Sequence, residues 1–198
     1  MNTNNDKGIK IAESQNHPFD VFLYKIIRYI TPTFKKLNFT PNFITLLSLI
    51  FSVIAIYLFY KQTLLPLAAF LLLVGYLCDC WDGYFARKYN MVSKFGDYFD
   101  HGSDIIKYIL YIVVLFKLKR NNNHFIKYMI AIGVLSLLLL IQLGCEEKIY
   151  NKSNESETLK LTKLLCPNKK MIHLTKYFGA ATLMISMAVI MLIYTKYH

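Results

Sequence analysis

The sequence predicts an all-α fold, a polytopic integral membrane helical bundle, and three observations carry the prediction. The chain is 55% hydrophobic over 198 residues, and its mean hydropathy of +0.35 is too positive for an ordinary soluble domain. Its apolar residues are gathered in long blocks of membrane-crossing length. Its basic residues are shared unevenly between the segments that join those blocks.

Taken in order, residues 1–18 are a polar N-terminal tail without an apolar h-region, so no cleavable signal peptide is expected. From residue 19, Phe19, Val21, Phe22, Ile26, Ile27 and Ile30 alternate with Asp20, Lys25 and Arg28. That pattern predicts an amphipathic helix on the membrane surface, ending before Pro32, with 19–36 as surface helix and linker. Residues 37–198 form the membrane domain. Four apolar blocks, 43–60, 64–78, 125–144 and 179–194, read as spans. A fifth, 105–118, is short alone. If its helix begins near Asp97 it reaches about 22 residues, or about 33 Å at 1.5 Å per residue. Residues 145–176 are too polar to cross and are interrupted by Pro167. The expectation is five clear spans (six possible) plus the N-terminal interfacial helix.

The net charge of +11 would suggest nucleic acid in a soluble chain. Here its distribution decides. With the N-terminal region in the cytosol, residues 1–42, 83–96 and 145–176 share that side and carry sixteen Lys and Arg against six opposite. This is the positive-inside pattern, so the excess sets topology and attracts anionic lipid. Nucleic acid is not an expected partner. The sequons at Asn38, Asn151 and Asn154 fall on the same side and are expected to stay unmodified. Four cysteines lack C-x-x-C spacing, so neither a zinc site nor a disulfide framework is indicated.

Five of the seven aspartates lie between Cys78 and Lys107. The run reads Asp79-x2-Asp82-Gly83-x2-Ala86-Arg87-x8-Gly96-x3-Asp100-x3-Asp104. One charged side chain at the centre of a spanning helix costs roughly 2.5–3.5 kcal/mol, so four require neutralisation. Asp79 and Asp82 are three apart and Asp100 and Asp104 four apart, so each pair shares a helix face. Gly83 is expected to loosen the first helix, and 88–94 to turn in water. A helix hairpin then brings the pairs to one depth. Four carboxylates balance two divalent cations, and oxygen ligands favour Mg²⁺ or Mn²⁺. Two ions about 3.5–4 Å apart are a recurring device for displacement at phosphorus. Gly83, Ala86 and Gly96 let a substrate approach the backbone, and Arg87 offers a planar fork for a phosphate.

This run resembles, at every position, the signature of the CDP-alcohol phosphotransferases, and Pro41-Asn42-Phe43-Ile44-Thr45 is similar to a stretch common in that family. The resemblance implies transfer of a phospho-alcohol group from a CDP-linked donor, here CDP-diacylglycerol, to an alcohol hydroxyl with release of CMP. It implies Asp79, Asp82, Asp100 and Asp104 as metal ligands, and Asp104 with Asp100 as catalytic residues, Asp104 orienting or deprotonating the acceptor. Gly83, Ala86, Arg87 and Gly96 would line the CDP pocket. It further implies a homodimer, while the charge distribution puts the active site on the cytosolic side of the membrane, with membrane lipids as partners. Phe99-Asp100-His101-Gly102-Ser103-Asp104 looks like the choline/ethanolamine phosphotransferase version, so that acceptor chemistry is the alternative. His101 is expected to be a hydrogen-bonded neighbour of the motif, and Lys107 is left outside the site. An intramembrane cation transporter is the reading from another class, disfavoured because 105–116 is apolar apart from Lys107 and two tyrosines.

Overall fold

A computed structural model describes residues 6–118, 124–150 and 158–194. The described residues are helical, without strands. The main helices are α1 (Pro18–Lys36), α2 (Pro41–Lys61), α3 (Leu65–Lys88), α4 (Lys94–Leu118) and α5 (Phe125–Tyr150). After short 3₁₀ turns come a single-turn α6 (Ile172–Thr175) and α7 (Ala180–Ile193). Of these, α2, α3, α5 and the stretch Lys169–Ile193 are long and apolar enough to cross a membrane. The remaining expected span is α4, 25 residues long and packed on α2. Its N-terminal half carries Asp97, Asp100, Asp104 and Lys107, which keeps its apolarity below that of the others.

Local chemistry explains the helix ends. Thr40 caps α2, its hydroxyl accepting from Phe43 N, and Pro41 occupies the first turn, where its missing N–H is harmless. At the end of α3, Asn90 adopts φ 54° while Met91 N donates to Ala86 O and Asn90 N to Arg87 O. This left-handed cap satisfies the last carbonyls and reverses the chain toward α4. Asn38 ends α1 in the same way, with φ 59° and Phe39 N donating to Phe34 O. Contrary to expectation, α3 continues unbroken through Gly83 to Lys88. Likewise α1 does not stop before Pro32 but runs through it. Tertiary contacts outweigh the proline there: Thr31 is fully buried and accepts a hydrogen bond from Trp81 Nε1 at 3.0 Å, pinning α1 to α3.

Two large apolar clusters fill the bundle, beside a small one of Ile11, Cys145, Cys166 and Ile172. The one away from the motif gathers Phe59, Leu72, Tyr111, Leu115, Ile132 and Met187, and Tyr111 donates to Met187 O at 2.9 Å. The other, around Ile27, Ile44, Tyr76, Trp81, Phe85 and Ala181, holds α1 against α3 and α7. Helices α2 and α3 pack tightly at Gly75, where an added Cβ would lie 2.4 Å from Ser52 Oγ and 3.1 Å from Ser48 O. Small residues at such a crossing let membrane helices pack backbone to backbone.

The region after Gly144 departs from expectation. Helix α5 continues six residues further to Tyr150, carrying Glu146 and Glu147 with it. Cys145 is joined to Cys166 in a disulfide, a pairing that separated cysteines without motif spacing did not indicate. The returning segment makes it feasible by packing on α5 so closely that a Cβ at Gly144 would meet Thr162 O at 2.0 Å. The sequons at Asn151 and Asn154 lie outside the described residues.

Candidate functional site

Helices α3 and α4 are joined by a short turn and both pack on α2 rather than extensively on each other. Carboxylate oxygens of Asp79, Asp100 and Asp104 lie within 4.8 Å of one another. Asp82 is not in that group: it is buried, and its Oδ2 accepts from the Thr45 hydroxyl at 2.6 Å. It nevertheless lines the same cavity as Asp79 and Asp100. Thr45 sits on α2, so three helices position the four aspartates.

Lys107, left outside the expected site, stands at its centre. Its ammonium donates to Asp79 Oδ1 at 2.8 Å and to Ser48 Oγ at 3.1 Å. It also forms an ion pair with Asp104 Oδ1 at 2.6 Å. One cation beside several carboxylates leaves an excess of negative charge. Asp100 Oδ1 is buried without a partner among the described residues. Converging carboxylate oxygens of one hard donor type, with Asp100 Oδ1 unpartnered, fit a divalent cation of the magnesium class.

The cavity has a volume of about 170 Å³ and is lined by Asp79, Asp82, Gly83, Arg87 and Asp100 among others. Arg87 folds over Gly83: a Cβ at 83 would lie 3.1 Å from one terminal guanidinium nitrogen. Arg87 Nε donates to Gly8 O at 2.8 Å, leaving the outer edge of its fork for another anion. Ala86 and Gly96 do not line this cavity. Gly96 instead faces α2, where an added Cβ would approach Asn42 Oδ1 to 3.2 Å. His101 is held by its own helix, Nδ1 lying 2.8 Å from Asp97 O.

The polar N-terminal stretch covers one side of the cavity. Arg28 on α1 pairs with Asp6 at 2.7 Å and also with Glu13. Burial pushes the Asp6 carboxyl up, but hydrogen bonds from Arg28, Gly8 N and Tyr84 outweigh it and hold Asp6 below the usual carboxylate range. Lys10 pairs with the fully buried Glu147 on α5. His17 accepts from Phe19 N through Nδ1, and burial keeps its pKa below the ordinary imidazole value. Asp20 accepts from Tyr76 at 2.7 Å inside the cavity. Sequence reasoning gave no site role to Asp20, Gln142 or Glu146. Asp20 and Gln142 are single polar residues within apolar patterns and Glu146 opens a short charged run, none with spacing to flag it.

Comparison with known proteins adds a family. The sequence profile described as CDP-alcohol phosphatidyltransferase matches residues 38–196. The CDP-diacylglycerol--glycerol-3-phosphate 3-phosphatidyltransferase of Rickettsia typhi is 37% identical over 84 residues, 41% of this chain and 46% of that protein. The archaetidylinositol phosphate synthase of Pyrococcus horikoshii is 39% identical over 75 residues, 38% of this chain and 39% of that protein. The chain thus matches about half the length, or less, of these relatives. No solved structure matches significantly.

Proposed function

The chain belongs to the CDP-alcohol phosphatidyltransferase family, and from that premise we propose that it makes phospholipid by moving a phosphatidyl group from CDP-diacylglycerol to an alcohol. The carrying observation is the convergence of Asp79, Asp100 and Asp104 beside a cavity that also holds Asp82 and Arg87. The acceptor oxygen forms a bond to the phosphatidyl phosphorus, the bridging P–O bond of the pyrophosphate breaks, and CMP leaves with that oxygen. The hydroxyl proton passes to Asp104, which also orients the nucleophile. Arg87 binds the pyrophosphate through the open edge of its fork, and Gly83 leaves room for the fork to lie flat. Asp79, Asp82, Asp100 and Asp104 would hold two Mg²⁺ or Mn²⁺ ions, which when bound offset the charge of the phosphates. Thr45 holds Asp82 in place as a positioning residue. Such a site works by alignment and electrostatics.

Two features favour this over an ion path. The cavity is lined at one part by motif residues, and the Phe59, Tyr111 and Leu115 cluster, which contains none of them, fills another part of the bundle with hydrocarbon. The sixteen-to-six distribution of basic residues supports a cytosolic active site. We read the functional unit as a homodimer, on family resemblance. Purified protein given CDP-diacylglycerol and a panel of alcohols tests the function by CMP release. Release that depends on the alcohol supports it, and no release with any acceptor counts against it.

A further inference from the structure

Resting on the transferase reading above, we infer that the arm of the cavity built by Asp20, Tyr76, Gln142 and Glu146 seats the acceptor alcohol, and selects one rich in hydrogen-bond donors and free of phosphate.

The argument starts from Gln142. It is 2% exposed, lines the cavity, and its Oε1 has no hydrogen-bond partner among the described residues. Its amide orientation is fixed, because Nε2 donates to Glu146 Oε1 at 2.9 Å. The flipped amide would set two acceptors against each other. A buried carbonyl oxygen left unpaired is costly, so the atom points to a ligand that donates. Two further groups agree. Asp20 uses Oδ1 to accept from Tyr76, and Glu146 uses Oε1 for Gln142, leaving each with a second carboxylate oxygen. Two elements, α1 and α5, therefore turn acceptor atoms on one space that continues to Asp79, Asp82 and Asp100.

Hydroxyl or ammonium groups complement such a lining, whereas a phosphate dianion would meet carboxylates. The basic residues of the cavity are engaged elsewhere. Lys10 pairs with Glu147, and Lys176 donates to Ser14 O at 2.7 Å while lying over the Tyr177 ring. Arg87 lies at the motif end, over Gly83. The matching acceptor is thus a neutral polyol or an amino alcohol; both present the shared chemistry of donors beside the reacting hydroxyl.

Purified protein with Mg²⁺ and CDP-diacylglycerol is assayed for CMP release with glycerol against glycerol 3-phosphate and with inositol against inositol phosphate. Serine and ethanolamine form the amino-alcohol arm. The unphosphorylated member of each pair, or an amino alcohol, is expected to show a kcat/KM roughly tenfold or more above the phosphorylated acceptors. Gln142→Leu and, independently, Glu146→Gln should each raise the acceptor KM roughly tenfold, with the KM for CDP-diacylglycerol unchanged. Glu146→Gln keeps the test intact if the buried Gln142 variant does not fold. Preference for the phosphorylated acceptors, or an unmoved acceptor KM in the folded variants, overturns the inference. Calorimetric binding of CDP with Mg²⁺ separates the two readings. If CDP binds but the acceptor preference is reversed, only this inference fails; if CDP does not bind and no acceptor is used, the transferase reading fails and takes the inference with it.

Discussion

Lys107 on α4 places its ammonium 2.8 Å from the Asp79 carboxylate on α3, closing the helix pair that carries every aspartate of the motif. With Asp104 also 2.6 Å away, this lysine supplies positive charge where a bound cation would also act. Removing one partner of a buried pair costs roughly 3–5 kcal/mol. Lys107→Met is therefore expected to lower the thermal midpoint sharply in EDTA, with Mg²⁺ restoring part of the loss. Melting curves in detergent with and without Mg²⁺ check this. Equal losses in both conditions would contradict it.

Thr45 acts on the site only through Asp82, which its hydroxyl meets at 2.6 Å. Groups that orient metal ligands typically matter by about 10–100-fold in metal affinity or activity. Thr45→Val should raise the Mg²⁺ concentration for half-maximal CMP release by about that factor, while Thr45→Ser retains near-normal activation. A Mg²⁺ titration of both variants decides it.

Gly144 is required by close approach rather than by backbone freedom. A Cβ there would lie 2.0 Å from Thr162 O, and a backbone oxygen cannot rotate away. Gly144→Ala should cost roughly 1–3 kcal/mol or more. It should also loosen residues 158–166 from α5, read as faster proteolytic cleavage in that segment.

Burial pushes the Asp20 carboxyl up to about 7, with the Glu146 charge adding to it and the Tyr76 hydrogen bond opposing it. The unfolded chain releases this proton near 3.8, so between those values the folded state holds more protons. Stability from this group is complete below about 4 and is lost as pH rises through about 7. Asp20→Asn should flatten that part of the stability profile. Asp6 has the opposite sign, since its lowered pKa contributes stability that is lost only as pH falls below the carboxylate range. Thermal midpoints of wild type and Asp20→Asn across this range test the assignment.

Charge and sulfur point to opposite compartments for residues 145–166. The basic residues favour the cytosol, where thiols are normally kept reduced, whereas Cys145 and Cys166 are within bonding reach. The Cys145–Cys166 bond is expected to hold in the purified protein, so that both cysteines alkylate only after reductant is added. Alkylation of both without reductant would instead place this segment in the reducing compartment that the charges favour.

How much was legible follows from the range over which each pattern acts. Spacing of three and four residues fixes a helix face, so the approach of Asp79 to Asp100 and Asp104 could be read from the chain, whereas the separate bond of Asp82 to Thr45 could not. Apolar blocks of membrane length gave the helices, though the polar 145–150 end of α5 was missed because packing, not apolarity, continues the helix there. Lys107 was visible one turn beyond Asp104, but spacing alone does not say which partner on another helix it meets. Pro32 was misjudged for the same reason, since the Thr31–Trp81 contact that holds α1 through it spans 50 residues. Gln142 and Glu146 reach the cavity only because α5 packs on α7, which in turn packs on α3, a fact of tertiary packing with no local signature.

The most direct test is Mg²⁺-dependent CMP release from CDP-diacylglycerol by purified wild-type protein beside Asp100→Asn and Asp104→Asn. The account predicts saturable activation by Mg²⁺, loss of release in EDTA, and at least about a hundredfold lower turnover in each folded variant. CMP release that persists in EDTA, or wild-type turnover in either variant, would contradict it.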